Sequence, residues 1–235
     1  RSFATCKANR LEKSFNNLAL PIRPGTARYG DMLSPLEIEA LALSLKVALW
    51  AVACSLLPGI AIAWLLARRE FPGKALVDGI VHLPLVLPPV ALGYMLLVLF
   101  GRNGAIGAWL YDWFGINLVF SWRGAALAAA VMAFPLLVRA VRLSMETVDR
   151  RLETAAQTLG ARPAWVFLTI TLPLTTPGIL TGVLLSFIRC LGEFGATITF
   201  AANVPGETRT LPLALYTALQ VPGGEAGATR LAIIS

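Results

Sequence analysis

Histidine occurs once in this 235-residue chain and cysteine only three times, as Cys6, Cys54 and Cys190. So few, with no metal-like spacing among the cysteines, give no basis for a zinc centre or a disulfide framework, and neither is expected. Cys54 and Cys190 sit in apolar runs, where cysteine behaves as a small hydrophobe. Charge is scarce too: Asp, Glu, Lys and Arg make up 14% of the residues, against roughly 25% in soluble domains. No Gly-x4-Gly-Lys-Ser/Thr loop is present to cradle nucleotide phosphates, so the chain does not read as an ATPase or as an enzyme. The net charge is +7, yet no basic face interleaved with aromatics suggests a nucleic-acid partner.

What fills the space is apolar sequence, 57% hydrophobic with a mean hydropathy of +0.70. Residues 47–67, 79–101 and 163–188 are long runs without Asp, Glu, Lys or Arg. Each exceeds the roughly 20 residues a helix needs to cross the hydrocarbon layer. The fold class is therefore all-α, a polytopic bundle in a membrane. Spans are expected over about 42–67, 77–100, 118–138 and 173–191, with a final apolar run from about residue 228. Leu211 to Gln220 is too short to span and reads as interfacial or re-entrant. The second span holds three prolines, Pro84, Pro88 and Pro89, a pattern tolerated where neighbours or a cavity satisfy the freed carbonyls.

Residues 1–31 read differently. They carry Arg1, Lys7, Arg10, Lys13, Arg23 and Arg28 among turn formers and contain no apolar signal region. They are read as a basic, disordered, non-native extension, with the membrane domain occupying 32–235. Ser34, Pro35 and Glu37 then form a helix start.

Loop charges set the orientation. Arg68, Arg69 and Lys74 mark the 68–78 loop, and Arg139, Arg142, Arg150, Arg151 and Arg162 the 139–172 segment. The alternate loops hold only Arg102 with Arg123 and Arg209 with Arg230. Positive-inside bias places the first two in the cytoplasm. Residues 1–31 would then lie outside, in conflict with their charge.

The polar stretch 153–173, ETAAQTLGARPAWVFLTITLP, thus faces the cytoplasm. Leu152, Ala155, Ala156 and Leu159 recur at helical spacing, and Gly160 suits the left-handed residue that ends a helix. Arg162-Pro163 opens a second short helix. From the residues alone, a docking helix and a plain amphipathic helix on the inner leaflet remain equal alternatives.

Ala155-Ala156, Gly160, Ile170, Leu172 and Pro173 fall at the spacing of the EAA signature of ABC importer permeases, which the chain resembles. It departs at the signature glutamate: Thr154 stands there, with Glu153 one place earlier. The runs EFPGKALVDGIVHLPLVLPPVALGY, LYDWFGINLVFSWRGAALAAAVMAFPLLVRAVRL and LGEFGATITFAANVPGETRTLPLALYTALQVPGGE resemble the molybdate permeases of that family, and the GETRT-LP…YT…Q-PGGE region sets them apart from the sulfate ones. The resemblance implies a type I (MetI-like) bundle of about five transmembrane helices, the last truncated, in the bacterial inner membrane. It implies that Glu153, Thr154, Ala155, Ala156, Leu159, Gly160, Ile170, Leu172 and Pro173, within a coupling segment of about 150–173, seat in a separate ATPase subunit. That subunit would bind ATP and Mg; this chain would hold no cofactor. A second permease copy would complete a homodimer, and an extracytoplasmic molybdate-binding protein would meet the 101–123 and 203–227 loops.

For the anion path, neutral donors suit an oxyanion that must also be released. Thr197, Thr199 and Asn203 are candidates, against the plain reading that threonines satisfy their own helix. Arg209 stands at the mouth as an anion attractor or a binding-protein contact. Arg189 and Glu193, four apart, form a salt bridge or a gate. His82 reads as a satisfied polar residue or a proton relay. Rival functions are a sulfate or tungstate permease and, in another class, a proton-coupled secondary transporter, which would want carboxylates within the membrane.

Overall fold

The computed structural model describes residues 34–234; the expected extension over 1–31 lies outside them. The described residues are helical, with no strand among them. α1 (Pro35–Arg68) opens on Pro35, which lacks the N–H that a first turn leaves unpaired anyway. A short turn leads to α2 (Lys74–Val86) and α3 (Pro89–Phe100). α4 (Ala105–Phe114) lies in the connection to α5 (Trp122–Thr147). α6 (Arg150–Thr158) and α7 (Pro163–Val166) follow, then a π-helical turn (Phe167–Thr171) and α8 (Leu172–Leu174). α9 (Thr176–Leu191), α10 (Gly195–Phe200), α11 (Leu211–Gln220) and α12 (Glu225–Ile234) complete the order.

Two of these helices, α1 and α5, are long and apolar enough to cross a membrane unaided. Two bent pairs also have the length and apolar composition of a crossing when each pair is taken as one span: α2 with α3, at 115°, and the Pro163–Leu174 stretch with α9, at 66°. The segment expected over 77–100 is thus broken at its prolines. Leu87 is extended and Pro88 and Pro89 follow it, so the helical hydrogen-bond ladder stops at Val86 and restarts on a new axis. The third span is also displaced from 118–138 to 122–147. Ser121 caps it by accepting the Gly124 N–H at 3.2 Å. It runs on through Arg139 and Arg142, which were expected in a loop, because Arg142 meets Asp78 of α2 at 2.9 Å and Glu146 at 2.8 Å.

α5 is the central helix. Its alanines Ala125, Ala126, Ala129 and Ala133 pack against Val47, Ala48, Ala51 and Val52 of α1 and Cys190 of α9. Small side chains let membrane helices approach closely, where dispersion rather than water exclusion holds them. On α9, a Cβ placed on Gly178 would lie 2.1 Å from Ser144 Cβ, so only glycine fits. Ser186 Oγ and Cys190 Sγ add hydrogen bonds across to the carbonyls of Ala133 and Ala129. Toward one end, Ala63, Leu66 and Ala67 of α1 pack with Leu137, Val138, Val141 and Met145 of α5. Toward the other, Leu92 and Leu96 of α3 meet Ala128, Met132, Ala196 and Phe200.

Candidate coupling segment and polar clusters

α6 begins on Asp149, whose carboxylate accepts the Arg151 N–H at 2.9 Å. It ends in a complete Schellman turn: Gly160 N–H donates to Gln157 O at 3.0 Å and Ala161 N–H to Ala156 O at 3.1 Å. Gly160 has φ +87°, a conformation that costs a residue with a side chain about 1 kcal/mol or more.

One face of α6 is tied to the bundle. Glu153 accepts from the Arg68 guanidinium at the end of α1 and from Thr171 Oγ in the π turn, both at 2.7 Å. The two charged side chains are 18% and 8% exposed. Arg68 also reaches Val148 O at 3.4 Å, and Arg150 donates to Ala67 O at 3.1 Å. α1, α5, α6 and the π turn thus meet at one end of the bundle, the end holding the 68–78 and 139–172 charges. There Lys74 donates to Glu70 at 2.7 Å, and its ammonium holds that carboxyl below its ordinary range.

The opposite face of α6 is bare. Leu152 and Ala155 are exposed and Leu159 is 89% exposed. Ala156, which the spacing groups with them, is half-buried. It lies one turn from Glu153, on the side that the Arg68 pair draws inward. Trp165 and Leu168 extend the exposed apolar surface past Gly160. Thr154, at the signature-glutamate position, is exposed and spends its hydroxyl on Arg150 O at 3.0 Å. In the second half of the motif Ile170 and Leu172 are half-buried and Pro173 is exposed.

At the far end a second polar cluster forms. Arg209 Nε donates to Asn203 Oδ1 at 2.9 Å, and Asn203 Nδ2 donates to Thr217 Oγ at 2.8 Å. Thr208 Oγ closes the loop between them, accepting the Val204 N–H at 2.9 Å. Thr197 is buried, and Thr199 donates to Gly195 O of its own helix at 2.9 Å. Of the four residues expected along a path, the structure therefore brings Asn203 and Arg209 together and leaves the two threonines in α10. Thr217 joins the cluster from α11, which sequence spacing had not connected to it.

Glu193 is buried, with Oε2 2.6 Å from Arg189 Nη1. Its other oxygen accepts the Ala196 N–H at 2.9 Å, starting α10. His82 places Nδ1 2.8 Å from Asp78 O and 3.3 Å from Asp78 Oδ1. Asp78, which sequence reasoning had passed over, is thereby shared between His82 and Arg142 in a cleft of about 370 Å³. Among the described residues no group of His, Cys, Asp and Glu could hold a metal ion.

Comparison with known proteins places this architecture. Residues 59–229 match the family described as binding-protein-dependent transport system inner membrane component. The molybdenum transport system permease protein ModB of Escherichia coli (strain K12) is 65% identical over 204 residues, covering 87% of this chain and 89% of that protein. ModB of Haemophilus influenzae is 58% identical over 200 residues, covering 85% and 87%. The sulfate transport system permease protein CysT of Salmonella typhimurium is 37% identical over 195 residues, covering 83% and 70%. A solved bacterial ABC transporter involved in the import of the acidic polysaccharide alginate matches in fold, with TM-score 0.64 at 15% identity, over 98% of this chain and 92% of that one. The chain belongs to the family of inner-membrane components of binding-protein-dependent transport systems.

Proposed function

We propose that this chain is the permease subunit of an ABC importer for molybdate, driven by a separate ATPase subunit and fed by an extracytoplasmic binding protein. The observation that carries the coupling role is the two-sided build of α6, fixed to Arg68 and Thr171 through Glu153 while Leu152, Ala155 and Leu159 stay uncovered. A helix that protrudes with a small apolar face suits a cleft in a partner, and one held by a partly buried ion pair passes on a push. Movement of α6 reaches α1 through Arg68 and, from α1, the alanine seam with α5. Rigid-body rocking of that kind is a standard route of alternating access. ATP and Mg belong to the ATPase in this scheme, and a second permease copy completes the path.

The substrate rests on the names of the more similar relatives: 65% identity to a molybdenum permease against 37% to a sulfate one. In this reading Arg209, held by Asn203, which Thr217 in turn anchors, meets the anion at the outer mouth. Arg189 and Glu193 act as a gate element buried beside α10.

The test is co-purification with a molybdate-type ATPase subunit, then uptake of labelled molybdate in competition with sulfate. Ala155→Asp and Leu159→Asp alter only the exposed face, so each should abolish ATPase capture while helicity persists. Unchanged capture overturns the docking role. Uptake that sulfate suppresses as well as unlabelled molybdate does would overturn the substrate.

A further inference from the structure

At the end of the bundle opposite α6, a cavity of about 540 Å³ opens between α1 and α5. Trp50, Cys54, Phe100, Leu118, Leu127 and Ala130 contribute to its wall, which is apolar apart from Arg123. Trp122 stands at its upper edge with two cations beside its ring: Lys46 Nζ is 4.0 Å from the ring centroid and Arg123 Cζ 5.8 Å. Trp50 packs against the same indole at 6.2 Å. Neither Lys46 nor Arg123 has a hydrogen-bond or ion-pair partner among the described residues, and no carboxylate lines the cavity.

Depth along the helices gives this arrangement its meaning. At a rise of about 1.5 Å per residue, Lys46 lies about 33 Å up α1 from Arg68. That matches the roughly 30 Å hydrocarbon layer, so with Arg68 at one interface Lys46 sits at the other. Trp122 and Arg123 open α5 beside Lys46, the level where tryptophans and basic residues anchor to headgroups. Cys54 lies about 12 Å deeper on α1, and Ala130 about 10 Å below Arg123 on α5. The cavity therefore descends from the headgroup level into the acyl layer, with its positive charge confined to the top.

We infer that this cavity is a binding site for an anionic phospholipid of the outer leaflet. One acyl chain lies in the slot between α1 and α5, and the phosphate sits between Lys46 and Arg123. The unpaired cations select for net negative charge, and the apolar wall gives the chain a longer contact than bulk lipid would. A basic residue near a membrane surface attracts an anionic headgroup enough that two give a preference of about 30-fold over a zwitterionic one.

Native mass spectrometry of the full chain in a mild detergent, with dioleoyl phosphatidylglycerol and dioleoyl phosphatidylethanolamine added in equal amounts, tests this. The parent should retain phosphatidylglycerol preferentially, and the Lys46→Gln/Arg123→Gln pair should bring the two lipids to parity. Ala130→Phe should weaken retention of both by filling the slot. The charge-preserving pair Lys46→Arg/Arg123→Lys should keep the preference, which separates lost charge from lost folding. In a Cys6→Ser background, phosphatidylglycerol in nanodiscs should slow alkylation of exposed Cys54 more than phosphatidylethanolamine does. No preference in the parent, or an undiminished preference in the Gln pair, overturns the site. Cys54 protection that follows protein dimerisation and ignores lipid identity also overturns it, making the cavity an interface between copies.

Discussion

Arg68 and Glu153, 85 positions apart in the chain, meet at 2.7 Å where α1 ends and α6 makes its first turn. Glu153→Ala leaves the guanidinium buried without its carboxylate. Because the pair retains some exposure, the expected loss is about 2–3 kcal/mol, below the range for fully enclosed pairs. Thr154→Ala, one residue away, should change stability little, since that hydroxyl bonds only its own helix. Thermal unfolding of both variants in detergent checks the contrast, and equal effects would show that the carboxylate is not the fastening.

Gly160→Ala places a methyl in open space, yet at φ +87°. The cost is backbone strain alone, about 1 kcal/mol. Hydrogen exchange should show it as faster exchange of the α6 amides, with α5 and α9 unaffected. Uniform loosening of the whole bundle would contradict so local an origin.

Gly178→Ala sets a methyl against Ser144 Cβ, so one of the two helices must shift. The expected loss is about 1–3 kcal/mol. Ser144→Gly in the same chain should restore most of it, because the remaining neighbour, Ala140 O, lies at 3.2 Å. Failure of the double variant to recover would place the conflict elsewhere.

Ala202 holds φ +62° just before the Asn203–Arg209 cluster. Glycine there removes the clash of a Cβ in the left-handed region, at the cost of a freer unfolded chain. Ala202→Gly should therefore stabilise by about 0.5 kcal/mol, measurable as a raised unfolding midpoint. A lowered midpoint would mean that the methyl makes contacts outweighing the strain.

Much of this architecture is legible in the sequence because lipid demands it. Uncharged runs must become helices, and Gly160, lacking a Cβ, tolerates its turn without strain. What escapes is information carried by partners distant in the chain. Hydropathy is high on both sides of Leu87, so nothing in it reveals a 115° bend; only the adjacent prolines hint at one. Arg142 reads as a loop charge until Asp78 is found across the helix gap. Arg68 counts toward orientation alone until Glu153 arrives to claim it. Asn203 and Arg209 share a loop, but Thr217 comes from the next helix, and no spacing rule joins them.

The two sides of α6 also differ in how freely they can change. Glu153 fastens the helix inward, while Leu152 and Leu159 touch little of their own chain. Substitutions on the outer side change the surface the helix presents without disturbing how it is mounted. Fastening and exposure thus fall on separate residues of one short helix, so a lineage could vary the outer side while the Arg68–Glu153 mount stays fixed.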